Sequence, residues 1–242
     1  MTSGIPKMTR SGYVTGHPGG PSDGVCEGFN RTVPQTPPVA LALRALIAVL
    51  VLAAVVATLV EVASRTGINP VNFFGFFAIQ SNLILAAVYL LSALAPAALG
   101  EPTRSLVRAA ATTYIVIVGI VYATLLAPLG VAGGVPVPWA NVMLHVVTPL
   151  YGIVDWLASR DRVRLPLDRL WVVLLYPAVW LVVVVLRGAT DGWVPYPFLD
   201  PEQGYAAVAG YCLVILVAFL VVGSVVFWGS RIGRRVVSPT AG

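Results

Sequence analysis

Six long apolar stretches divide the chain, and each can cross a lipid bilayer as a helix. A hydrocarbon core about 30 Å thick requires roughly 17 to 25 mostly apolar residues in a helix. The composition excludes an ordinary water-soluble core, since 58% of the 242 residues are hydrophobic and only 10% are charged. The sequence therefore predicts an all-α polytopic membrane protein, a bundle of six transmembrane helices at residues 38–62, 73–94, 107–129, 139–157, 170–186 and 205–229.

The basic residues fall almost entirely on one side of these six stretches. Of the 15 Lys and Arg residues, only Arg65 and Arg187 lie in the connections on the other side. Cytoplasmic loops retain Lys and Arg during membrane insertion, so this bias predicts a multi-pass protein of the cell membrane with both termini in the cytoplasm. The net charge of +5 is then explained by topology and by anionic headgroups. We predict membrane lipids or a lipid-like small molecule as partners, and no nucleic acid.

The ends of the chain differ in composition from the predicted membrane domain, residues 38–230. Residues 1–37 are rich in Gly, Pro, Ser and Thr and predict a disordered cytoplasmic tail rather than a signal peptide, with Met8 as an alternative start. Residues 231–242 predict a basic cytoplasmic tail. Cys26 and Cys212 lie too far apart in the sequence pattern to suggest a disulfide or a metal cluster. No cofactor and no metal are predicted.

Tryptophan residues lie near the predicted ends of the helices. Trp139 and Trp193 fall at the outer boundary, whereas Trp156, Trp171 and Trp228 fall near the inner boundary. Because the amphipathic indole ring prefers the headgroup region, all five are predicted to be interfacial anchors.

The fourth predicted span carries a stripe of polar and small residues. Their offsets of 0, 4, 7, 11 and 14 place them within an arc of roughly 80° on a helix with about 100° per residue. Polar groups in hydrocarbon are costly unless they are paired, so this face is predicted to look into the bundle. The stripe consists of Asn141, His145, Thr148, Gly152 and Asp155.

The second predicted span contributes polar residues at the same depth. His145 lies about 9 Å below the outer boundary, and Gln80, Ser81 and Asn82 lie roughly 10 to 14 Å deep at 1.5 Å per residue. Three consecutive residues fan across about 200° of a helix, so Gln80 and Asn82 are predicted to face different neighbours. The two spans together predict a polar cavity in the outer half of the bundle.

An aromatic and charged segment, RGATDGWVPYPFLD, follows the fifth span at residues 187–200. Arg187 and Asp191 are spaced so that their side chains can approach each other. Two prolines and three aromatic residues predict a stiff loop. Two interpretations stay open, a lid over the outer cavity and an aromatic cap that only closes the top of the bundle.

The outer polar layer contains the groups that acyl transfer needs. A hydroxyl nucleophile requires a base to remove its proton and amide donors to stabilise the oxyanion. His145 is the only imidazole within the predicted spans, and imidazole is the side chain that titrates near neutrality. Two alternatives to acyl transfer stay open. In one, the polar residues only hydrogen-bond neighbouring helices. In the other, the protein is a transporter, and the stripe down to Asp155 is its polar path.

Three segments resemble the androgen-induced membrane hydrolases, multi-pass enzymes that act on fatty acid esters of hydroxy fatty acids, and their bacterial relatives. The segments are FFGFFAIQSNL at 73–83, NVMLH at 141–145 and WVPYPFLD at 193–200. The resemblance implies a threonine nucleophile in the second span that works with the histidine of the fourth span. His145 matches that histidine, but the threonine position falls on Ala78, which has no hydroxyl. Ser81, one helical turn deeper, is the first candidate to replace it, and Thr148 is the second.

These observations predict an integral membrane protein with an outer polar cavity that acts as a lipid ester hydrolase. The alternative is a non-catalytic membrane protein that binds lipid or a small molecule, transports a solute or has a structural role. The predicted catalytic residues are His145 as general base and Ser81 as nucleophile. The predicted substrate-binding residues are Asn82, Asn141, Gln80, Arg187, Asp191, Trp193 and Tyr196.

Overall fold

The structure is a computed structural model that describes residues 36–232. Within that range the chain forms helices and connecting turns, with no β-strand. The two predicted tails lie almost entirely outside the described residues, as do His17 and Cys26. The α-helices are α1 Pro38–Thr66, α2 Pro70–Gly75, α3 Phe77–Leu94, α4 Thr103–Val121, α5 Pro138–Val142, α6 Thr148–Ala158, α7 Val172–Thr190 and α8 Tyr205–Gly229.

Within residues 36–232, five helical segments are long and apolar enough to cross a membrane. They are Pro38–Arg65, Phe77–Leu94, Thr103–Gly130, Leu167–Thr190 and Tyr205–Gly229. The remaining predicted span is also helical, because a π-helical turn, Met143–Val147, joins α5 to α6 without a break. That segment carries the polar stripe and is not among the five. The all-helical fold is therefore confirmed, with five apolar segments of membrane-spanning length.

The second predicted span begins with a break in the helix. The chain leaves the helical conformation at Phe76, where φ is −65° and ψ is 129°, and this residue separates α2 from α3. Asn69 caps α2, since its side-chain oxygen accepts hydrogen bonds from the backbone N–H groups of Val71 and Asn72. The break leaves the first N–H groups of α3 without helical partners, and the Tyr196 hydroxyl accepts one of them, that of Ala78, at 3.2 Å.

Two π-helical turns lie at neighbouring positions in the bundle. One, Tyr122–Leu126, extends α4, and the other, Met143–Val147, carries His145. Pro149 follows the second turn, and its ring would clash with the carbonyl of residue 145 in a regular α-helix, so the wider turn relieves that conflict. Gly119 of α4 packs directly against this proline, because a Cβ atom there would lie 2.9 Å from Pro149 Cβ.

Helix α4 lies at the centre of the bundle, whereas α7 and α8 lie at its edge. In the most apolar window of each segment, 61% of residues are buried for the α4 segment and only 11% for the α7 segment. The outward faces of α7 and α8 are rich in exposed Val and Leu, including Val179, Val182, Val214 and Val221. Surfaces of this composition match the acyl chains of a bilayer rather than water.

Candidate functional site

The His145 imidazole is held in a defined orientation. Its Nδ1 atom lies 3.1 Å from the carbonyl oxygen of Asn141, one turn earlier in the helix. Its ring stacks on Tyr122, with 4.3 Å between ring centroids and 18° between ring planes. A carbonyl oxygen only accepts hydrogen bonds, so the neutral ring carries its proton on Nδ1 and keeps Nε2 as its basic nitrogen. The two π-helical turns thus hold the imidazole ring in a fixed orientation, and such turns occur frequently at functional sites.

Asn141 holds the surroundings of His145 together. Its amide nitrogen donates to the Tyr122 hydroxyl at 2.6 Å, and its amide oxygen accepts from the Val135 backbone N–H at 3.2 Å. The side chain therefore joins the turn after α4 to the connection that precedes α5. Both ends of the amide have protein partners, so Asn141 fixes the position of Tyr122 and of the loop before α5.

The rest of the polar stripe also faces the interior. His145, Thr148, Gly152 and Asp155 are buried, as the helical spacing predicted. The Thr148 hydroxyl donates to the backbone carbonyl of Met143 at 2.7 Å. This bond occupies its proton within its own helix, so Thr148 is the weaker candidate for a nucleophile.

Asn82 links the second and fourth predicted spans. Its amide nitrogen donates to the carbonyl oxygens of Ala78, at 2.9 Å, and of Leu144, at 3.1 Å. Because both oxygens accept from one nitrogen, they lie no more than about 6 Å apart. The side-chain oxygen of Asn82 is buried and has no hydrogen-bond partner among the described residues. Ala78, where the resemblance implies a nucleophile, therefore lies beside the backbone that precedes His145.

Ser81 and Gln80 face a different neighbour. The Tyr176 hydroxyl of α7 donates to the Gln80 side-chain oxygen at 2.8 Å, and the Gln80 amide nitrogen donates to the Phe74 carbonyl at 2.7 Å. Ser81 is fully buried, and Tyr176 is the polar neighbour of its hydroxyl, although the two form no hydrogen bond of good geometry. The structure therefore does not bring Ser81 to His145. Gln80 and Asn82 face different neighbours, as their spacing predicted.

Residues 187–200, named here the cap loop, close over the break between α2 and α3. Arg187 donates to Asp191 at 2.6 and 2.9 Å and to the Asn72 side-chain oxygen at 2.7 Å. Its guanidinium also lies over the Trp193 ring, 4.2 Å from the centroid. Hydrogen bonds from Arg187 and from the Trp193 backbone lower the pKa of Asp191. These contacts make Arg187 and Asp191 an internal clasp of the cap loop.

Aromatic residues attach the cap loop to the bundle. Trp193 packs against Gly75, where a Cβ atom would lie 2.5 Å from the indole ring. Tyr196 is buried, caps the Ala78 N–H and lies edge-on to Phe76, and burial raises the pKa of its hydroxyl above the usual range. Trp193 and Tyr196, predicted to contact substrate, therefore lie directly above the segment that contains Ala78 and Ser81.

A charged cluster at the opposite end of the bundle was not predicted from the sequence. It consists of Arg44 of α1, Arg108 of α4, Asp155 of α6 and Asp161 of the following loop, each no more than 5% exposed. Arg44 donates to Asp155 at 2.8 Å and to Asp161 at 2.8 Å, and Arg108 donates to Asp161 at 2.7 Å. The charged cluster ties α1 and α4, which are far apart in the sequence from α6, to α6 and to the loop that follows it.

The charged cluster changes the interpretation of several residues. Arg44 and Arg108 were assigned to topology alone, and Asp155 to a polar path, but all three are paired in the interior. Trp156 is only 1% exposed, so its prediction as an interfacial anchor is wrong. Its ring lies 5.2 Å from the guanidinium groups of both Arg108 and Arg162, and its indole N–H donates to Val226 of α8. The signal was present, since charges within apolar helices are usually paired.

No group of three or more metal-ligating side chains occurs within residues 36–232. Comparisons of the chain with models of known protein families, with curated proteins and with solved structures found no match.

Proposed function

We propose that the chain is a six-span integral membrane protein of the cell membrane with both termini in the cytoplasm. Five apolar segments support the proposal directly. The sixth span is the helical segment from Pro138 to Ala158, whose 21 residues extend about 32 Å at 1.5 Å each. It is less apolar because its polar face is buried against the other helices. Exposed arginines in the connections favour this orientation, namely Arg160, Arg164, Arg169 and Arg231.

Cysteine accessibility tests the proposed topology. In a variant whose two native cysteines are replaced by serine, we expect Gly192→Cys to react with a membrane-impermeant maleimide on intact cells. Asp168→Cys, in the loop before α7, should react only after the cells are permeabilised, because that loop is cytoplasmic in the proposal. The reverse pattern would place the C-terminus outside and contradict the proposed topology, and equal labelling of both sites on intact cells would contradict a membrane crossing by α7.

For the site, we propose hydrolysis of a lipid ester with His145 as general base. The observation that carries the proposal is the fixed imidazole, which donates through Nδ1 and presents Nε2 as the base. Ser81 Oγ would attack the ester carbonyl while Nε2 takes its proton, and the imidazolium would return that proton to the leaving alkoxide. Water would then attack the acyl-enzyme by the same route. Because Ser81 lies near Tyr176, this role requires the serine to move within reach of Nε2 when substrate binds, and catalytic hydrogen bonds often form only at that stage.

A fluorophosphonate probe tests the proposed nucleophile and base together. We expect the purified wild-type protein to be labelled, and Ser81→Ala and His145→Ala to lose labelling by about 10²-fold or more. Thr148→Ala is the matched control, because its hydroxyl is engaged with Met143. Labelling that survives His145→Ala in a folded protein would exclude the proposed base.

Ala78→Thr provides a gain-of-function arm of the same experiment. This change restores a hydroxyl where the resemblance implies one, beside the backbone before His145. If Ser81 is the nucleophile, the added threonine should leave wild-type labelling unchanged or raise it. Labelling only in Ala78→Thr would show that the wild-type chain keeps the base and lacks the nucleophile.

A non-catalytic binding role is the second candidate, and a specific observation favours it. Gln80, Asn141 and Arg187 all have hydrogen-bond partners inside the protein, so few of the predicted substrate-binding groups point to a ligand. If the role is binding alone, we expect the fluorophosphonate probe to label neither the wild type nor any variant except Ala78→Thr. His145→Ala should then lower the thermal stability of the protein. Transport along the stripe is less favoured, because Asp155 is paired with Arg44.

A further inference from the structure

An apolar groove runs between the end of α4 and the first half of α8. Its volume is about 400 Å³. On α8 it extends from Ala207 to Ala218, which is about 16 Å at 1.5 Å per residue. The wall on the other side is formed by the end of α4, with Ile120 and Val121, and by the π-helical turn that extends it, with Leu125. Thr124 and Tyr211 are its only lining residues with side-chain oxygen atoms.

The dimensions of the groove indicate what can occupy it. The groove offers about 400 Å³ along about 16 Å. A helix with side chains is about 10 to 12 Å wide, so a whole helix is too large for a groove of this volume and length. The length instead matches one leaflet of a hydrocarbon core that is about 30 Å thick. A single extended acyl chain fits both dimensions.

The position of the groove supports the same occupant. Both walls belong to segments that are long and apolar enough to span a membrane, so its open side faces bilayer acyl chains. Tyr211 lines the upper part and contacts Phe198 of the cap loop, with 5.9 Å between ring centroids. The α4 wall includes residues on both sides of Tyr122, whose ring stacks on His145. The groove thus adjoins both the cap loop and the turn that holds the imidazole.

We infer that this groove binds one acyl chain of a membrane lipid, with the lipid headgroup at the end of the groove next to the cap loop. The inference rests on the proposed function only for the membrane setting and for the class of substrate. It adds the place where the acyl chain of that substrate is held. Binding of the chain requires no reaction at His145.

Photocrosslinking tests the groove. The full-length protein is reconstituted in phosphatidylcholine vesicles that contain a phospholipid with a diazirine in its acyl chain. We expect crosslinks to concentrate on residues 207–218 and 120–125. Gly210→Leu should reduce them at least fivefold, because no atom lies within 4 Å of a Cβ atom at Gly210 and the new side chain fills the groove without a clash. Ala209→Leu, on the same helix but outside the lining, is the matched control and should leave them unchanged.

Several results would overturn the inference. Crosslinks spread evenly over the exposed faces of α7 and α8, or undiminished in Gly210→Leu, would show ordinary lipid contact. If Gly210→Leu does not fold, Val214→Phe serves instead, since Val214 lines the groove and is 68% exposed. Disulfide-linked dimers of Val214→Cys at high yield would assign the groove to a second copy of the chain. A further result separates the two proposals. If the lipid still crosslinks to the groove in His145→Ala, and the fluorophosphonate probe does not label the wild type, the groove binds an acyl chain and the protein is not a hydrolase.

Discussion

Asp161→Asn is expected to destabilise the protein more than any other conservative substitution proposed here. The carboxylate accepts hydrogen bonds from Arg44 at 2.8 and 3.3 Å and from Arg108 at 2.7 Å, and all three residues are buried. Removal of one partner from a buried ion pair costs about 3 to 5 kcal/mol, because it leaves an uncompensated charge in the interior. Here the neutral amide would leave two guanidinium groups with one remaining carboxylate, that of Asp155.

Thermal unfolding of the purified protein in detergent measures this effect. Asp168→Asn is the matched control, since it makes the same change at an exposed carboxylate in the same connection. Surface substitutions of this kind usually change stability by less than about 0.5 kcal/mol. Equal unfolding temperatures for the two variants would show that the charged cluster contributes nothing to the fold.

A double-mutant cycle separates the pairing from the loss of packing. Arg108→Met removes one of the charges that Asp161 compensates. We expect Arg108→Met to cost less in the Asp161→Asn background than in the wild type, because the arginine that it removes has already lost its nearest carboxylate there and keeps only the 3.8 Å contact with Asp155. Strict additivity of the two changes would contradict a direct interaction at the 2.7 Å contact.

The pH dependence of stability gives an independent check on Asp161. Burial opposes ionisation of this carboxyl, but hydrogen bonds from Arg44 and Thr36 and the charges of both arginines hold its pKa well below the usual range. A folded-state pKa below the unfolded value of about 3.9 stabilises the fold above that value. The contribution should be constant from pH 8 to about pH 5 and should fall progressively below about pH 4, and this fall should be absent in Asp161→Asn.

The sequence predicted the helices well because hydrophobic length is a local property. The last predicted span, 205–229, coincides with α8, and the second predicted span ends with α3 at Leu94. Its start was wrong because the helix breaks at Phe76, where the Tyr196 hydroxyl from a distant loop supplies the missing partner of Ala78. The sequence of residues 70–80 alone therefore cannot predict the break at Phe76.

The sequence predicted that Asn82 and His145 lie at the same level of the bundle, but it did not predict all of the partners of the polar residues. Rise per residue placed Asn82 and His145 in one layer, and Asn82 does contact Leu144. Helix rotation decides whether Ser81 faces His145 or Tyr176, and one sequence contains no measure of that rotation. The charged cluster shows the same limit, since Arg44 and Asp161 are 117 residues apart and their pairing depends on the packing of α1 against the loop after α6.

Gly75→Ala is expected to displace the cap loop. A Cβ atom at this position would lie 2.5 Å from one indole carbon of Trp193 and 3.1 Å from two others. The ring cannot easily retreat, because the Arg187 guanidinium lies 4.2 Å from its centroid and Phe76 packs edge-on at 5.9 Å. Overpacking of this kind costs about 1 to 3 kcal/mol. Movement of the ring would also pull Tyr196 away from the Ala78 N–H.

Two measurements detect the displacement of the cap loop. Thermal unfolding reports the loss of stability, and trypsin cleavage after Arg187 should accelerate once Asp191, Asn72 and the Trp193 ring no longer surround its side chain. Gly210→Ala is the matched control, because no atom lies within 4 Å of its Cβ position and both substitutions reduce the conformational entropy of the unfolded chain equally. The difference between the two variants therefore isolates the contact with Trp193.

A second substitution shows whether the indole ring is the cause. In the Gly75→Ala background, Trp193→Phe removes the indole atoms that the new Cβ atom would meet and keeps an aromatic ring for Arg187 and Phe76. We expect this double variant to recover most of the lost stability and to resist trypsin better than Gly75→Ala alone, although Trp193→Phe by itself should be mildly destabilising. Protection that does not return would mean that Gly75 is needed for the backbone at the α2–α3 break and not for the close packing of the cap loop.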